Sequence, residues 1–390
     1  FNFSGNHMSN KKNWILIFFV FSICLLIFIF KVREDMVDFE VNLRAAQRLQ
    51  VGETLYRQAD EHYQFKYMPV SSFLYLPLTH LSLDWAKGVW FFFIVSSSIG
   101  LVFLSNKLVT PKTNPFRLLR LIPLLVLAKF FLREIQLGQI NSIVTLILVV
   151  MTWILVQDRD KGRARNETLA GLSWGLAVAL KPYALIFFPY FLIKKKWRSL
   201  AYTSGFLVVA FFSPSLYFGI KGNIIVHKEW ISTFFKSTPT FVTTQDNVSI
   251  IAFFSKWIGN QNLALFFTGL TISALALLIL YLILKGKHLP RAPVLECSVL
   301  LICIPLVSPL GWDYNFLMSL LGLVIVLKHF QNYTFSWKIL LIINLCVISL
   351  SLYDLLGRET YALFMSWSVL TINFLFLVGY LSFLRIKKIA

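Results

Sequence analysis

An all-α polytopic membrane protein of about twelve transmembrane helices is what this sequence predicts, and three observations carry that expectation. Of its 390 residues 57% are hydrophobic and only 14% charged, with a mean hydropathy of +0.70, whereas a soluble domain has roughly 45 to 50% apolar residues and about 25% charged ones. The apolar residues fall in runs near 13–30, 85–105, 119–132, 138–156, 168–181, 182–193, 199–219, 262–284, 294–308, 314–328, 338–353 and 362–384, several of them too short to cross a bilayer alone without tilt or help. Between alternate runs the turns carry basic clusters, such as Lys107, Lys112, Arg117 and Arg120, then Lys194, Lys195, Lys196 and Arg198, and finally Arg385, Lys387 and Lys388. Turns of that kind face the cytoplasm.

In chain order, residues 1–7 ahead of Met8 read as an expression leftover, and 8–390 as one integral membrane domain. The run 13–30 has no small-residue cleavage site and is expected to be a retained first span. The positive-inside pattern makes both termini cytoplasmic and puts a first external loop at 31–84 and a second long one at 220–261. Within the first loop, 38–50 places Val37, Val41, Ala45 and Leu49 at helical spacing, predicting an amphipathic juxtamembrane helix lying on the membrane surface. The stretch "YMPVSSFLYLPLTHL", 67–81, is apolar but interrupted by Pro69 and Pro77, so it reads as re-entrant or juxtamembrane. No internal repeat is visible. A net charge of +19 could suggest a nucleic-acid partner, but the cations sit in short inter-helix turns, and none is expected. Cys24, Cys297, Cys303 and Cys346 all lie in apolar runs with no neighbours at metal-ligand spacing.

Polar groups in such a chain are costly enough to be weighed one by one. Asp38, in "VDFEVNLRAAQRL", shares a helical face with Asn42 at the outer boundary; it is either a carboxylate offsetting a helix dipole or a reacting group. In "FFLREIQLGQINS", Arg133, Glu134, Gln136, Gln139 and Asn141 interrupt an external turn. Arg133 and Glu134 could be a simple ion pair, or Arg133 could face a phosphate while Glu134, Gln139 and Asn141 floor a site for hydroxyl groups. Lys181 closes the Gly/Ala-rich helix of "GLAVALKPYAL", where it either snorkels to the interface or holds a lipid phosphate. "VSPLGWDYNF" sets Asp313 and Asn315 beside Trp312 and Tyr314, an aromatic belt or a sugar-holding group, and Gln245, Asp246 and Asn247 come from a neighbouring external loop. These interruptions collect on the outer side, which suggests a site reached by a substrate that partitions into the bilayer.

The order of "MVDFEVNLRAAQRLQVGETLY", "FKYMPVSSFLYLPL", "REIQLGQINSIV", "LAGLSWGLAVALKPYALIFFPYFLIKKKWRSL", "QDNVSI" and "SPLGWDYNFL" resembles glycosyltransferase family 87, over about residues 14–330. The resemblance implies a membrane module of the GT-C fold that uses a polyprenyl-phosphate sugar as donor and a lipid or glycan hydroxyl as acceptor. It further implies inverting transfer of mannose, another hexose or arabinofuranose at the external face of a bacterial inner membrane, with Asp38 as the catalytic carboxylate of the first external loop. Such a reaction needs one base at the attacking hydroxyl and cations at the departing phosphate, and demands no metal cofactor. Arg133 and Lys181, with Lys66 and Arg358 as alternates, are the candidates for the phosphate. Competing readings are a lipid-linked glycan polymerase or ligase, usually built on a large late external loop, and a transporter or flippase of lipid-linked sugars, which would show inverted repeats and charges through both leaflets.

Overall fold

The computed structural model describes residues 22–109, 121–157, 162–286, 289 and 291–389. The leader at 1–7, most of the first apolar run and several of the basic turns therefore lie outside the described residues. Within them the chain is helical, with no β-strand and a single antiparallel bridge between Asn247 and Trp312.

Chain entry is set by α1 (Ser22–Val32), whose last residues widen into a π-turn at Phe28–Val32. Next comes α2 (Val37–Gln50), opened by Met36 at φ 59°. A left-handed Met is unusual; here the side chain is fully buried and the backbone N–H donates to the Gln136 carbonyl at 2.8 Å, so a tertiary contact holds the turn. The expected amphipathic helix is thus present, but its environment differs from the expectation. Phe39, Leu43 and Ala46 enter the main core, while Ala45 and Leu49 close a smaller cluster with Leu55, Tyr56, Phe65 and Val226. Only Val37 of the predicted stripe stays exposed. Protein, not the membrane surface, covers α2, because the loop that follows folds back over it. Part of that cover is the stretch Pro69–His80, which winds as a tight 3₁₀-type coil through Pro77 and packs on α2.

Among the described residues three helices are long and apolar enough to cross a bilayer: α3 (Leu83–Val109), α12 (Gln261–Lys285) and α18 (Val369–Ile386). A fourth span is available if α9 (Trp197–Phe212) and α10 (Ser215–Phe241), bent by 94° at their junction, count as one. About twelve continuous spans are not what the described helices supply. Several expected runs are short or broken: α4 (Ile122–Val126) and α5 (Ala128–Leu137) share one, followed by α6 (Asn141–Val156) and α7 (Arg163–Leu180). The run 182–193 is half 3₁₀, Pro182–Phe187, and half α8 (Phe188–Ile193), and 314–328 likewise passes from Asp313–Ser319 into α14 (Leu320–Lys328). Broken helices at membrane depth need protein around them to satisfy their backbone. The second external loop also proves mostly helical, since α10 and α11 (Ile250–Trp257) fill much of 220–261.

The core is centred on α13 (Ala292–Val307), buried along almost its whole length and packed by α6, α12, α14 and α18. By contrast α12 turns Leu263, Phe266, Leu270, Leu277 and Leu284 outward, as a lipid-facing helix does. Helices α7 and α9 approach most closely. Gly171 and Gly175 give α7 a small-residue face, and a Cβ on Gly171 would run into the Ser199 backbone. Ser199 Oγ donates to the Glu167 carbonyl and Thr203 Oγ1 to that of Gly171, each at 2.7 Å, the contact mode of tightly apposed membrane helices. The chain closes with α15 (Phe335–Leu350), the short α16 (Tyr353–Leu356), α17 (Arg358–Ser366) and α18.

Candidate active site

The corner between α5 and α6 positions the polar groups. Gly138 ends α5 in the left-handed region at φ 72°, and a Cβ there would lie 2.6 Å from the Cβ of Phe39 on α2. Glycine at this place satisfies both the helix stop and the close approach. The indole of Trp90 on α3 donates to the Gly138 carbonyl at 2.9 Å and locks the corner against the bundle. Glu134, fully buried, accepts from the Ser142 N–H at 2.8 Å and from the Asn141 amide at 2.7 Å. It therefore caps the first turn of α6, where a carboxylate is stabilised by free N–H groups, and does not pair with Arg133, which donates to Gln136 Oε1 at 2.9 Å on an exposed face.

From this corner a continuous hydrogen-bonded chain runs to Asp38. Gln139 Nε2 donates to Asp38 Oδ2 at 2.6 Å. Its Oε1 accepts from Lys181 Nζ at 3.1 Å and from the Tyr67 hydroxyl at 3.2 Å. Lys181 Nζ also donates to Asn141 Oδ1 at 2.7 Å, an oxygen shared with the Tyr183 hydroxyl at 3.1 Å. The lysine reaches inward because Pro182 holds it in extended backbone past the end of α7, and its ammonium lies 4.8 Å from the centre of the Tyr67 ring. Burial pushes the Glu134 carboxyl above its ordinary value and the Lys181 ammonium below its own, each offset in part by the charge of the other. Lys66 sits 4.0 Å over the Phe241 ring. Burial lowers its pKa, and the nearby charge of Asp38 opposes that shift.

Of the other acids around Asp38, Asp35 and Glu40 have anchoring roles. Glu40 pairs with the buried Lys87 at 2.7 Å, and Lys87 also holds the Arg33 and Asp35 carbonyls. Asp35 accepts from Gln136 at 2.9 Å, and Arg33 pairs with Asp84. These bonds fix the entry to α2; Asp38 alone of the four acids at 34–40 reaches the Gln139 amide.

A family model described as glycosyltransferase family 87 matches residues 65–309, more than half of the chain. The chain belongs to glycosyltransferase family 87. No curated protein matches it. The matched stretch holds Lys66, the whole corner from Arg133 to Asn141, Lys181 and the 245–247 loop, and it begins after Asp38 and ends before Trp312. A family 87 glycosyltransferase takes a sugar donor and an acceptor, and its all-helical body carries the apolar helices of a membrane enzyme.

In this family 87 chain a second polar group joins the 245–247 and 312–315 loops. Asn247, fully buried, donates to the carbonyls of Phe241, Val242 and Pro309 and accepts from the N–H groups of Ser249 and Gly311. With its amide so engaged it staples the two loops together. Gln245 and Asp246 flank it on the exposed side, and the Asp246 carbonyl accepts from the Asp313 N–H at 3.1 Å. Burial pushes the Asp313 carboxyl up to about 6, with Asp246 adding to the shift and Lys129 opposing it. Tyr314 and Asn315 are buried, the latter with its Oδ1 lacking a hydrogen-bond partner among the described residues. Trp312 stacks edge-on against Phe241 at 6.2 Å, and since Lys66 covers the same ring, the aromatic pair connects this group to Asp38.

Of the expected phosphate cations the structure brings Lys181 and Lys66 to Asp38, while Arg133 stays on the exposed face of α5. Arg358 is exposed at the start of α17, with no hydrogen bond or ion pair to any described residue of the site. Sequence reasoning missed Tyr67 and Tyr183 as members of the network. A signal existed, for each lies beside a lysine and a proline at a corner, Lys66-Tyr67-Met68-Pro69 and Lys181-Pro182-Tyr183. Lys129, whose ammonium reaches Ser351 at the end of α15, was missed as well, although a lone lysine inside an apolar run is itself a signal.

Proposed function

We propose that this glycosyltransferase moves a sugar, mannose, another hexose or arabinofuranose, with inversion from a polyprenyl-phosphate donor to a hydroxyl of a lipid or glycan acceptor. Asp38 takes the proton of the acceptor hydroxyl as its oxygen bonds to the anomeric carbon. The bond from that carbon to the phosphate oxygen breaks with its electron pair going to the phosphate, which leaves as polyprenyl phosphate. Positioned general-base catalysis contributes about 10² to 10⁴ in rate, and cationic groups fixed in advance stabilise the departing charge. The observation that carries this reading is the chain Asp38–Gln139–Lys181–Asn141: one amide holds the carboxylate and the ammonium at the same time, so base and cation are set in register before substrate arrives. Lys66 and Lys181 are the cations assigned to the phosphate. Trp312, Asp313, Tyr314 and Asn315, tied to Lys66 through Phe241, are assigned to the sugar or acceptor. The Lys/Arg distribution supports a bacterial inner-membrane enzyme with cytoplasmic termini and its site on the external face.

The test is transfer by the purified enzyme in lipid nanodiscs, offered polyprenyl-phosphate mannose, arabinofuranose, glucose and galactose in turn, with products read by mass spectrometry. Asp38→Asn keeps the side-chain shape and removes the base, so it is expected to abolish transfer while eluting and melting as the wild type does. Turnover by Asp38→Asn near the wild-type rate would overthrow the mechanism.

A further inference from the structure

At the end of the bundle away from Asp38 the helices enclose a cavity of about 350 Å³, within the range of roughly 300 to 1,000 Å³ typical of small-ligand sites. Helix α3 relates the two places. Near its start Lys87 and Trp90 hold the Asp38 corner, and near its end Leu108 and Val109 line the cavity, about 33 Å further along at 1.5 Å per residue. The cavity is therefore no part of the transfer site.

Its wall is amphipathic. Leu108, Val109, Leu295, Ile325 and Ile389 are among its apolar residues, and Arg291, Lys328, His329 and Lys388 are its polar ones, with no carboxylate among the described lining residues. Glu296, next in sequence to the lining Leu295, is turned away into an ion pair with Lys194 at 2.9 Å. Two of the cations have an ordinary account. Lys328 ends α14 and donates to the Val109 carbonyl at 2.6 Å, and Lys388 follows α18, so both meet the negative ends of helices. Arg291 has no such account from a helix C-terminus and shares only the placement of the other basic turns. It is the residue that opens α13, where the helix dipole is positive and disfavours a cation, while the Ala292 and Val294 N–H groups are already taken by the Leu289 and Arg291 carbonyls and Pro293 has none. Burial and the adjacent Lys328 hold the His329 imidazole below its ordinary value, so at neutral pH it offers a hydrogen bond and adds no charge.

We propose that this cavity binds the phosphate headgroup of an anionic phospholipid from the leaflet at that end, with the acyl chains against the apolar lining. An anion there would answer Arg291, Lys328 and Lys388 at once, and basic pockets between membrane helices are a known mode of lipid recognition. A membrane lipid is favoured over soluble phosphate because most of the wall is apolar and would stay unmatched by a hydrophilic ion.

The test is native mass spectrometry of the full chain, released from nanodiscs of phosphatidylcholine with added phosphatidylglycerol. Arg291 and Lys388 are both exposed, so Arg291→Gln/Lys388→Gln is expected to fold and to retain less phosphatidylglycerol, by about fivefold for each cation removed. Each single variant gives the same test with a smaller step. A control pair, Lys285→Gln/Lys338→Gln, removes two other cations that do not line the cavity and is expected to retain the lipid as the wild type does. Equal retention by the Arg291/Lys388 variant, or equal loss by the control, would overturn the site. Displacement of phosphatidylglycerol by millimolar inorganic phosphate would overturn the lipid assignment in favour of a soluble anion. None of these outcomes bears on Asp38, so this site and the transfer reading fail independently.

Discussion

Gln139 is the point at which the transfer reading is most exposed to test, because it touches both the carboxylate and the ammonium. Replacing it by leucine removes the 2.6 Å bond to Asp38, the 3.1 Å bond from Lys181 and the Tyr67 contact in one step. A hydrogen bond to a charged group is worth about 1.5 to 3 kcal/mol. If the Asp38 bond serves to orient the base, its loss corresponds to a drop of about ten- to a hundredfold in kcat, at about 1.4 kcal/mol per decade. Gln139→Glu asks a different question with the same shape. A carboxylate set against Asp38 at that distance cannot ionise independently, and the two acids titrate as a pair, one pKa raised. Since the base works only when deprotonated, the acidic limb of the pH profile of kcat/KM is expected to move to higher pH in this variant, and further than in Gln139→Leu, which loses only the bond that favours the ionised carboxylate. The assay is the nanodisc transfer reaction run from pH 5 to 8. A Gln139→Leu enzyme within twofold of wild type, together with an unshifted Gln139→Glu profile, would refute the claim that this amide positions the base.

Lys181→Ala is expected to lower kcat or raise the donor KM by tenfold or more, whereas Arg133→Ala, on an exposed face, stays within about twofold; kinetics in which Arg133 matters and Lys181 does not would exchange their roles. Gly138→Ala adds a Cβ 2.6 Å from Phe39 at a positive φ, so the φ alone costs about 1 to 2 kcal/mol and a lowered melting temperature is expected; an unchanged one would mean the corner is less confined than drawn. For Asp313, whose carboxyl is raised by burial to about 6 from 3.8, the sign is that of a raised acid: its contribution to stability is full below about 4 and is lost as the pH rises through about 6. Asp313→Asn stays neutral throughout, so its melting temperature relative to wild type is expected to climb between pH 4 and 6 and level off above, and a constant difference would count against the burial account.

Much of this was legible in the sequence because it depends on patterns a few residues long. The helix at 38–50 follows from apolar spacing, and the corner at 138 from a glycine between two apolar runs. The polar residues flagged at 133–141, 181 and 312–315 stand out because ionisable groups are rare in an apolar chain. The number of spans and the surface on which α2 lies were not legible in this way. Hydropathy measures transfer out of water and does not distinguish lipid from protein as the receiving medium, so a run such as 182–193 or the α2 stripe looks the same whether it faces acyl chains or Phe65 and Val226.

What the sequence determined by itself is the material: an all-helical, membrane-embedded chain whose few buried charges would gather near its turns. Tertiary structure alone decided which of those charges meet. Of the four acids between 34 and 40 the pattern singles out Asp38, and the fold supplies the partners: Glu40 is taken by Lys87, Asp35 by Gln136, and Asp38 is the one met by an amide from a corner a hundred residues away. The physical reason is that a hydrogen bond depends on distance and direction to within a few tenths of an ångström, and here both are set by a glycine that lets two helices touch.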